Sequence, residues 1–433
     1  MTAPAVRTER DLLGSRQLFA GTRYGIHTLR ALDNFPLHGP RVCDELELCR
    51  AFGMVKLAAL RANVDLGELE GPVAGALDLA CRELADRRGD VHAALVVPLL
   101  QGGAGTSTNM NVNEVLANRT LELLGQPAGS YAVCHPNDHV NRSQSTNDVY
   151  PTALRVALLL RHAEVRVALV HLTAELEALA CREDDVPKLG RTQLQDAVPM
   201  HVGQEVRAWA VRCRRALAEL DGAAAGLLEV NLGGTAIGTG LAAPAGFAES
   251  AVAHLREVSG LDVRLAEDLV AATTDSSALL RCSSALRAGA VALGKIANDL
   301  RLLGSGPRTG LAEYRLPPMQ AGSSMMPGKV NPVECEYVNV LAFRIHGLDT
   351  TTTLALDAGQ LQLNAMLPAA AQALLESQSL LASAAETLAT RCIAGLEVDE
   401  PMLSGRASEG LGAVTELATT LGYAAAGELV ARP

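Results

Sequence analysis

Apolar side chains recur every three or four positions along most of the chain, a spacing that predicts helices rather than strands. From Glu45 to Glu83 it is carried by Leu46, Leu48, Phe52, Val55 and Leu60. The clearest run is Pro151 to Cys181, where Leu154, Leu158, Val165, Leu169, Leu172, Leu176 and Leu179 are three, four or seven residues apart. At 1.5 Å per residue such a helix reaches roughly 45 Å. Similar segments run from Val202 to Glu229, from Ser276 to Leu303 and from Pro332 to about Ala389, the last with breaks near Gly347 and Pro368. Helices this long predict an elongated bundle. No stretch alternates in the manner of a strand, and there is no internal repeat. Residues 1–40 read as irregular, punctuated by Gly14, Gly21, Gly25, Pro36, Gly39 and Pro40. After Gly395 the period shortens and small and acidic residues increase. The expected division is a mainly helical N-terminal domain (1–143), a central long-helix domain (144–394) and a short C-terminal domain (395–433).

Composition narrows the functional classes. The 433 residues are 48% apolar but only 3% aromatic, so Ala and Leu supply the core, as suits helix on helix. A net charge of −11 argues against a nucleic-acid or anionic-membrane partner. The nine cysteines are scattered, without CxxC or Cys/His metal spacing, and read as free thiols in a reducing cytoplasm. Arg7, Glu9, Arg10, Asp11 and Arg16 leave no apolar leader near the N-terminus. The uncharged run Val230 to Ala248 is Gly-rich and contains Asn231 and Pro244, a poor membrane span. A soluble, cytoplasmic protein is expected.

The densest chemistry lies in Gln320 to Glu336, QAGSSMMPGKVNPVECE. Ser323, Ser324, Lys329 and Asn331 share one short loop bracketed by Gly322 and Gly328. Asn331 followed by Pro332 predicts a helix start, with Asn as cap and Pro at the first helical position. A helix N-terminus beside an ammonium favours a carboxylate, and a serine in that field loses its proton more readily than in water. The run therefore reads as a mobile loop closing over an acidic small molecule, against the plainer alternative of a Gly/Ser connector with a solvated lysine.

Three further runs are dense in polar side chains, which read alone serve as helix caps or polar loops. Gln101 to Glu114 contains QGGAGTSTNMN, whose glycines allow close backbone approach and whose Thr106 offers a hydroxyl donor. It lacks the lysine of a phosphate loop, and Thr108 and Asn109 are expected to cap a following helix. His135 to Asp148, HPNDHVNRSQSTND, places Ser145, Thr146 and Asn147 at the expected helix start. His135 and His139 are spaced as a metal pair, but no carboxylate or thiol cluster beyond Asp138 accompanies them, so no metal is assigned. Gly190 to Pro199, GRTQLQDAVP, reads alone as a polar loop ahead of a helix.

Together these runs resemble the signatures of the aspartase/fumarase superfamily: GSSxMPxKxN, GxGTSxNMNxNE, HPNDxVNxSQSxND and GRTxxQDAxP. Tyr24 to Ala31, YGIHTLRA, resembles the family's YGxHTxRA. The likeness runs from about Asp11 to Leu411. It implies a mainly α, three-domain fold whose central bundle builds the core of a homotetramer, with the motifs of different subunits meeting at each active site. It implies a small dicarboxylate substrate and no cofactor, with divalent-cation activation left open. By resemblance, Ser323 is the catalytic base. Thr106, Ser145, Thr146 and Ser324 are donors to the substrate, Lys329 and Asn331 grip a carboxylate, and Asn147, Thr192, Gln193 and Met326 complete the substrate-binding set.

Family members eliminate HX from a substituted succinate to give fumarate. Fumarases place a histidine at the position of Gln193, beside a glutamate matching Glu336. Hydroxide departure needs a proton donor, which Gln193 cannot be, whereas ammonia leaves unaided. The sequence therefore points to L-aspartate as substrate, with fumarate hydration, or loss of another group from a 2-substituted succinate, as the alternative. An inactive structural relative is the third reading, disfavoured because Ser323, Lys329 and Asn331 are all present. The C-terminal domain is expected to be shorter than in relatives.

Overall fold

The computed structural model describes residues 5–409 and 412–430; positions 1–4, 410–411 and 431–433, at the margins of the expected terminal domains, lie outside them. Fourteen helices are seen among the described residues. They are α1 (Ile26–Asn34), α2 (Leu46–Asp65), α3 (Gly71–Ala85), α4 (Thr106–Leu123), α5 (Thr146–Arg182), α6 (Val202–Ala225) and α7 (Phe247–Ser259), then α8 (Leu269–Thr274), α9 (Ser277–Leu303), α10 (Val333–Asp357), α11 (Leu367–Thr387), α12 (Glu400–Glu409), α13 (Gly412–Leu421) and α14 (Tyr423–Val430). The fold is mainly α, as the periodicity predicts.

Two hairpins correct the expectation of no strands. β1 (Val6–Asp11) pairs antiparallel with β2 (Gly14–Phe19), inside the stretch read as irregular. β3 (Pro187–Thr192) pairs antiparallel with β4 (Gln195–His201). Neither shows apolar alternation, because neither is buried on one clean face. The first is held instead by Arg7, whose guanidinium donates to the carbonyls of Ala20, Thr22 and Tyr24 at 3.0, 2.6 and 2.6 Å. Minor two-residue ladders join β5 (Glu229–Val230) to β6 (Arg264–Leu265) and β7 (Tyr314–Arg315) to β8 (Glu397–Val398).

The chain divides into two compact units. The first comprises residues 1–163, 221–284 and 347–378. In it the first half of α5 is buried almost all round, with Val149, Tyr150, Leu154, Val156 and Leu158 fully enclosed. Arg161, in the same helix, donates to Glu45, Glu47 and the Leu375 carbonyl at 2.8, 2.6 and 3.1 Å. The second unit comprises residues 164–220, 285–346 and 379–433. There α6 buries Val202, Val206, Trp209, Cys213 and Leu220 at helical spacing, and Trp209 donates to Asp299 of α9 at 3.2 Å.

α5 begins at Thr146, within the start expected at Ser145 to Asn147, so Pro151 is interior. The expected break near Pro368 is present, α10 ending at Asp357 and α11 starting at Leu367. Other helix ends differ from expectation: Gly347 lies within α10 rather than breaking it. α4 begins at Thr106, so Thr108 and Asn109 are inside the helix and Gly105, at φ +86°, precedes it.

Candidate active site

In the first unit, Thr106, Ser145, Thr146 and Asn147 lie at the N-terminal turns of α4 and α5. Gly105 is what lets these starts approach: a Cβ there would sit 2.2 Å from the Tyr150 ring of α5. Thr106 is exposed. Ser145 heads α5, with its Oγ accepting from the Asn147 N–H at 3.3 Å. Its own N–H donates to Asp148 Oδ1 at 2.9 Å, a reciprocal cap. The Asp148 Oδ2 accepts the Gly233 and Thr235 N–H groups, each at 3.0 Å, tying the turn to the loop after β5. Asp148 is fully buried, which pushes its carboxyl up to about 6 against these three stabilising N–H bonds.

Pro151 explains a second tie. Lacking an N–H, it leaves the Asn147 carbonyl without its helical partner. That carbonyl accepts from Asn231 Nδ2 at 3.0 Å, while Asn147 Nδ2 donates to the Ala236 carbonyl at 2.7 Å. A small cavity of about 30 Å³ adjoins Asn147, lined also by Ala104, Arg155 and Asn364.

The Tyr24–Ala31 motif serves the glutamate of the NMNxNE run. Glu114, buried on α4, accepts from the N–H groups of Gly25, His27 and Thr28 and from the Thr28 hydroxyl, at 2.6–3.1 Å. With Glu9, which accepts the Ile26 N–H at 2.8 Å, it satisfies the free donors at the start of α1, and burial raises the Glu114 carboxyl above its ordinary value. His135 and His139 use Nδ1 as local acceptors: His135 takes the Asn137 and Asp138 N–H groups, and His139 takes that of His135. Among the described residues no group of three or more His, Cys, Asp or Glu is arranged to hold a metal ion.

In the second unit, Thr192 and Gln193 are not in a loop ahead of a helix. They form the tip of the β3–β4 hairpin, where Thr192 pairs with Gln195. Gln193 and Leu194 both have positive φ, 54° and 60°, the geometry of a tight primed turn without the usual Asn or Gly. Below the tip, Arg191 Nη2 donates to the buried Glu313 Oε1 at 2.5 Å, and Arg406 Nη1 of α12 reaches the same oxygen at 3.2 Å. Lys188, also buried, pairs with Glu205 at 2.7 Å.

The 320–332 loop is closed on itself. Gly322 N–H donates to the Lys329 carbonyl and Asn331 Nδ2 donates to the Gly322 carbonyl, both at 2.8 Å. A Cβ on Gly322 would meet the Asn331 nitrogen at 2.7 Å, so glycine is required. The side chain of Asn331 is thus spent partly on the loop, and α10 begins at Val333 rather than at Pro332. Inside the loop, Ser323 Oγ accepts two backbone N–H groups, from Met325 at 3.2 Å and Met326 at 2.9 Å. Ser324, Met326 and Lys329 are exposed, and Lys329 makes no ion pair among the described residues. A cavity of about 370 Å³ behind the loop is lined by Tyr314, Leu316, Val330 and Asn331, but by neither Ser323 nor Lys329.

The supporting residues Asp148, Asn231 and Glu114 carry no assignment in the sequence reading. The proline inside α5 was a usable signal for Asn231, since it implies an unpaired carbonyl.

No helix among the described residues is long and apolar enough to cross a membrane. The sequence profile of a lyase family matches residues 14–347. The aspartate ammonia-lyase of Escherichia coli strain K12 is 46% identical over 96% of this chain and 87% of its own length. That of Pseudomonas fluorescens is 48% identical over 98% and 88%. Among solved structures, a fumarate lyase:delta crystallin from Brucella melitensis, bound to cobalt, superposes with a TM-score of 0.94 at 48% identity, over 98% of this chain and 92% of its own. A class II fumarase from Schistosoma mansoni gives the same TM-score and coverage at 35% identity. With the motifs in place over most of its length, the chain belongs to the lyase family that includes aspartases and fumarases.

Proposed function

We propose that this protein is an aspartate ammonia-lyase, converting L-aspartate reversibly to fumarate and ammonia. The observation that carries the reading is the Ser323 oxygen accepting two backbone N–H groups, in the same loop as Lys329, an arrangement that favours the deprotonated hydroxyl. Ser323 takes a proton from the carbon beside one carboxylate, leaving a dianionic aci-carboxylate. Thr106, Ser145, Thr146 and Ser324 donate hydrogen bonds to it. Lys329 and the remaining N–H of Asn331 hold the other carboxylate. The C–N bond then breaks, its electrons leave with ammonia, and the aci-carboxylate collapses to the alkene. Asn147 and Thr192 orient the amino group, and Met326 closes over the substrate.

Gln193 supports ammonia over water as the leaving group, because an amide cannot supply the proton that hydroxide needs. The names of the relatives at 45–48% identity agree with this. We further propose a cytoplasmic homotetramer with shared sites and no cofactor; exposed apolar side chains on α10, Val340, Phe343 and Leu354, suit a subunit contact. The test is initial rates of fumarate formation from L-aspartate and L-malate, for the wild type and Gln193→His. The wild type should use aspartate and be slow or inactive with malate, and the variant should gain little malate activity, because water also needs orienting. Preference for malate would replace this reading with fumarate hydratase.

A further inference from the structure

Helix α2 is apolar around a single buried lysine, Lys56, which no motif and no proposed step uses. Its Nζ donates to Asn141 Oδ1 at 2.9 Å and to Gln144 Oε1 at 3.0 Å. The Asn141 oxygen also accepts from Asn109 Nδ2 at 3.1 Å and from Asn113 Nδ2 at 3.2 Å. Asn109 Nδ2 donates further, to Thr146 Oγ1 at 3.2 Å. The chain of contacts thus runs from a lysine to a proposed substrate-binding hydroxyl.

Primary amides can present either end, but a lysine N–H can only donate here. Facing Lys56, Asn141 must turn its oxygen inward, and its Nδ2 then donates to the Gln144 carbonyl at 3.1 Å. Gln144 is fixed likewise, its Nε2 donating to the Val140 and Arg142 carbonyls, each at 3.0 Å. With the Asn141 oxygen inward, Asn109 and Asn113 must both present nitrogen to it. Their own oxygens lie buried with no partner among the described residues, so the orientation follows from the acceptor their nitrogens face. Thr146 Oγ1 therefore receives a hydrogen bond from within, and its proton is left to point elsewhere.

We propose that Lys56 is a positioning residue: through Asn141 and Asn109 it fixes the direction of hydrogen bonding at Thr146, so that this hydroxyl donates to the substrate carboxylate rather than accepting. The inference rests on the aspartase reading, in which that carboxylate becomes the aci-carboxylate. Burial lowers the lysine to about 7, and it is the ammonium, with donors and no acceptor, that sets this direction.

A double-mutant cycle tests this, using the intact protein and elimination from L-aspartate. Thr146→Val removes the donor and should lower kcat about a hundred-fold, as for an oxyanion donor. Lys56→Met should lower kcat about ten-fold or more with little change in KM, because the donor matters most in the transition state. If Lys56 acts through Thr146, adding Lys56→Met to Thr146→Val costs nothing further in kcat. Multiplying losses would overturn the proposal. Should Lys56→Met not fold, Asn109→Ala in the same cycle decides, with the same loss confined to the Thr146 background. If the wild type converts no aspartate, the aspartase reading fails by itself. The cycle is then scored on kcat with the 2-substituted succinate that the wild type does convert, L-malate first, where non-additive losses support the role of Lys56 and additive ones refute it.

Discussion

Replacing Asp148 with asparagine separates stability from site geometry. In the wild type, Asp148 Oδ1 accepts from Ser145 N–H and Oδ2 from Gly233 and Thr235 N–H. The amide of the variant keeps one acceptor oxygen. Facing it toward Gly233 and Thr235 preserves two bonds but sets an NH2 group against the Ser145 N–H at what is now 2.9 Å. A buried donor left unpaired costs about 1–3 kcal/mol. The opposing effect is relief of a buried charge. The carboxyl is raised from 3.8 to about 6, which means that ionisation at neutral pH costs the folded state about 3 kcal/mol. The two effects nearly cancel, so Asp148→Asn should melt within about 6 °C of the wild type near pH 7.5.

The rate should not be spared. Ser145 and Thr146 lose the tie that sets them, and misplacement of donors by about 1 Å costs up to about a hundred-fold. The pH dependence supplies a second reading. Because the folded value is raised, Asp148 contributes stability that is full below 3.8 and is lost as the pH rises through about 6. Acidifying from about pH 7.5 to pH 5 should therefore stabilise the wild type by about 1.4 kcal/mol relative to the variant. Lys56 titrates in the same window and is itself raised by the Asp148 charge, so the comparison is made with Lys56→Met in both proteins. Fumarate formation from L-aspartate and thermal melts at the two pH values make the assay. A variant with wild-type rate, or one with the same stability difference at both pH values, would refute the assignment of Asp148 as the tie beneath the donors.

Ser323→Ala should lower elimination by about a hundred-fold or more while fumarate still binds, since several donors remain. Near-normal turnover in a folded variant removes Ser323 as the base. Lys329→Ala should weaken fumarate binding about ten-fold or more and lower the rate as well, through loss of a charge-assisted contact. Unchanged affinity on titration would make Lys329 a solvated loop charge.

Much of this was readable in the chain, and the failures have physical causes. α5 is visible because its burial is nearly continuous, and the polar run at Ser145 to Asn147 marks its start, although the apolar pattern by itself begins only at Pro151. Pro151 looks like a first-turn residue, and only the distant Asn231, which takes the orphaned Asn147 carbonyl, makes it tolerable within the helix. The β3–β4 hairpin was missed because Gln193 and Leu194 occupy left-handed positions that normally carry Asn or Gly. Gly347 was read as a break, although α10 simply runs through it. The motif residues stood out as polar side chains in the wrong places for a core. Their supports did not, because Lys56 meets Asn141 across 85 positions of sequence, and Glu114 meets Gly25 across 89.

The proposed division of labour among the hydroxyls follows from what each oxygen receives. Thr146 and Ser145 each accept one hydrogen bond, from Asn109 Nδ2 and Asn147 N–H, which occupies one lone pair and leaves the proton free to donate. Ser323 accepts two backbone N–H groups, and a second inward donor shifts the balance toward losing the proton. Magnitudes show how far that goes. Bonds to a charged acceptor are worth about 1.5–3 kcal/mol each, so two supply about 3–6 kcal/mol. Bringing a proton as tightly held as that of water to neutrality would take about 12 kcal/mol. The loop turn alone therefore makes Ser323 a better base than its neighbours without making it a sufficient one. The rest must come from the Lys329 ammonium and from exclusion of water when substrate binds. This is why Lys329→Ala is expected to slow proton removal as well as weaken binding. A variant that lost affinity alone, with kcat intact at saturating aspartate, would place the missing energy elsewhere in the site.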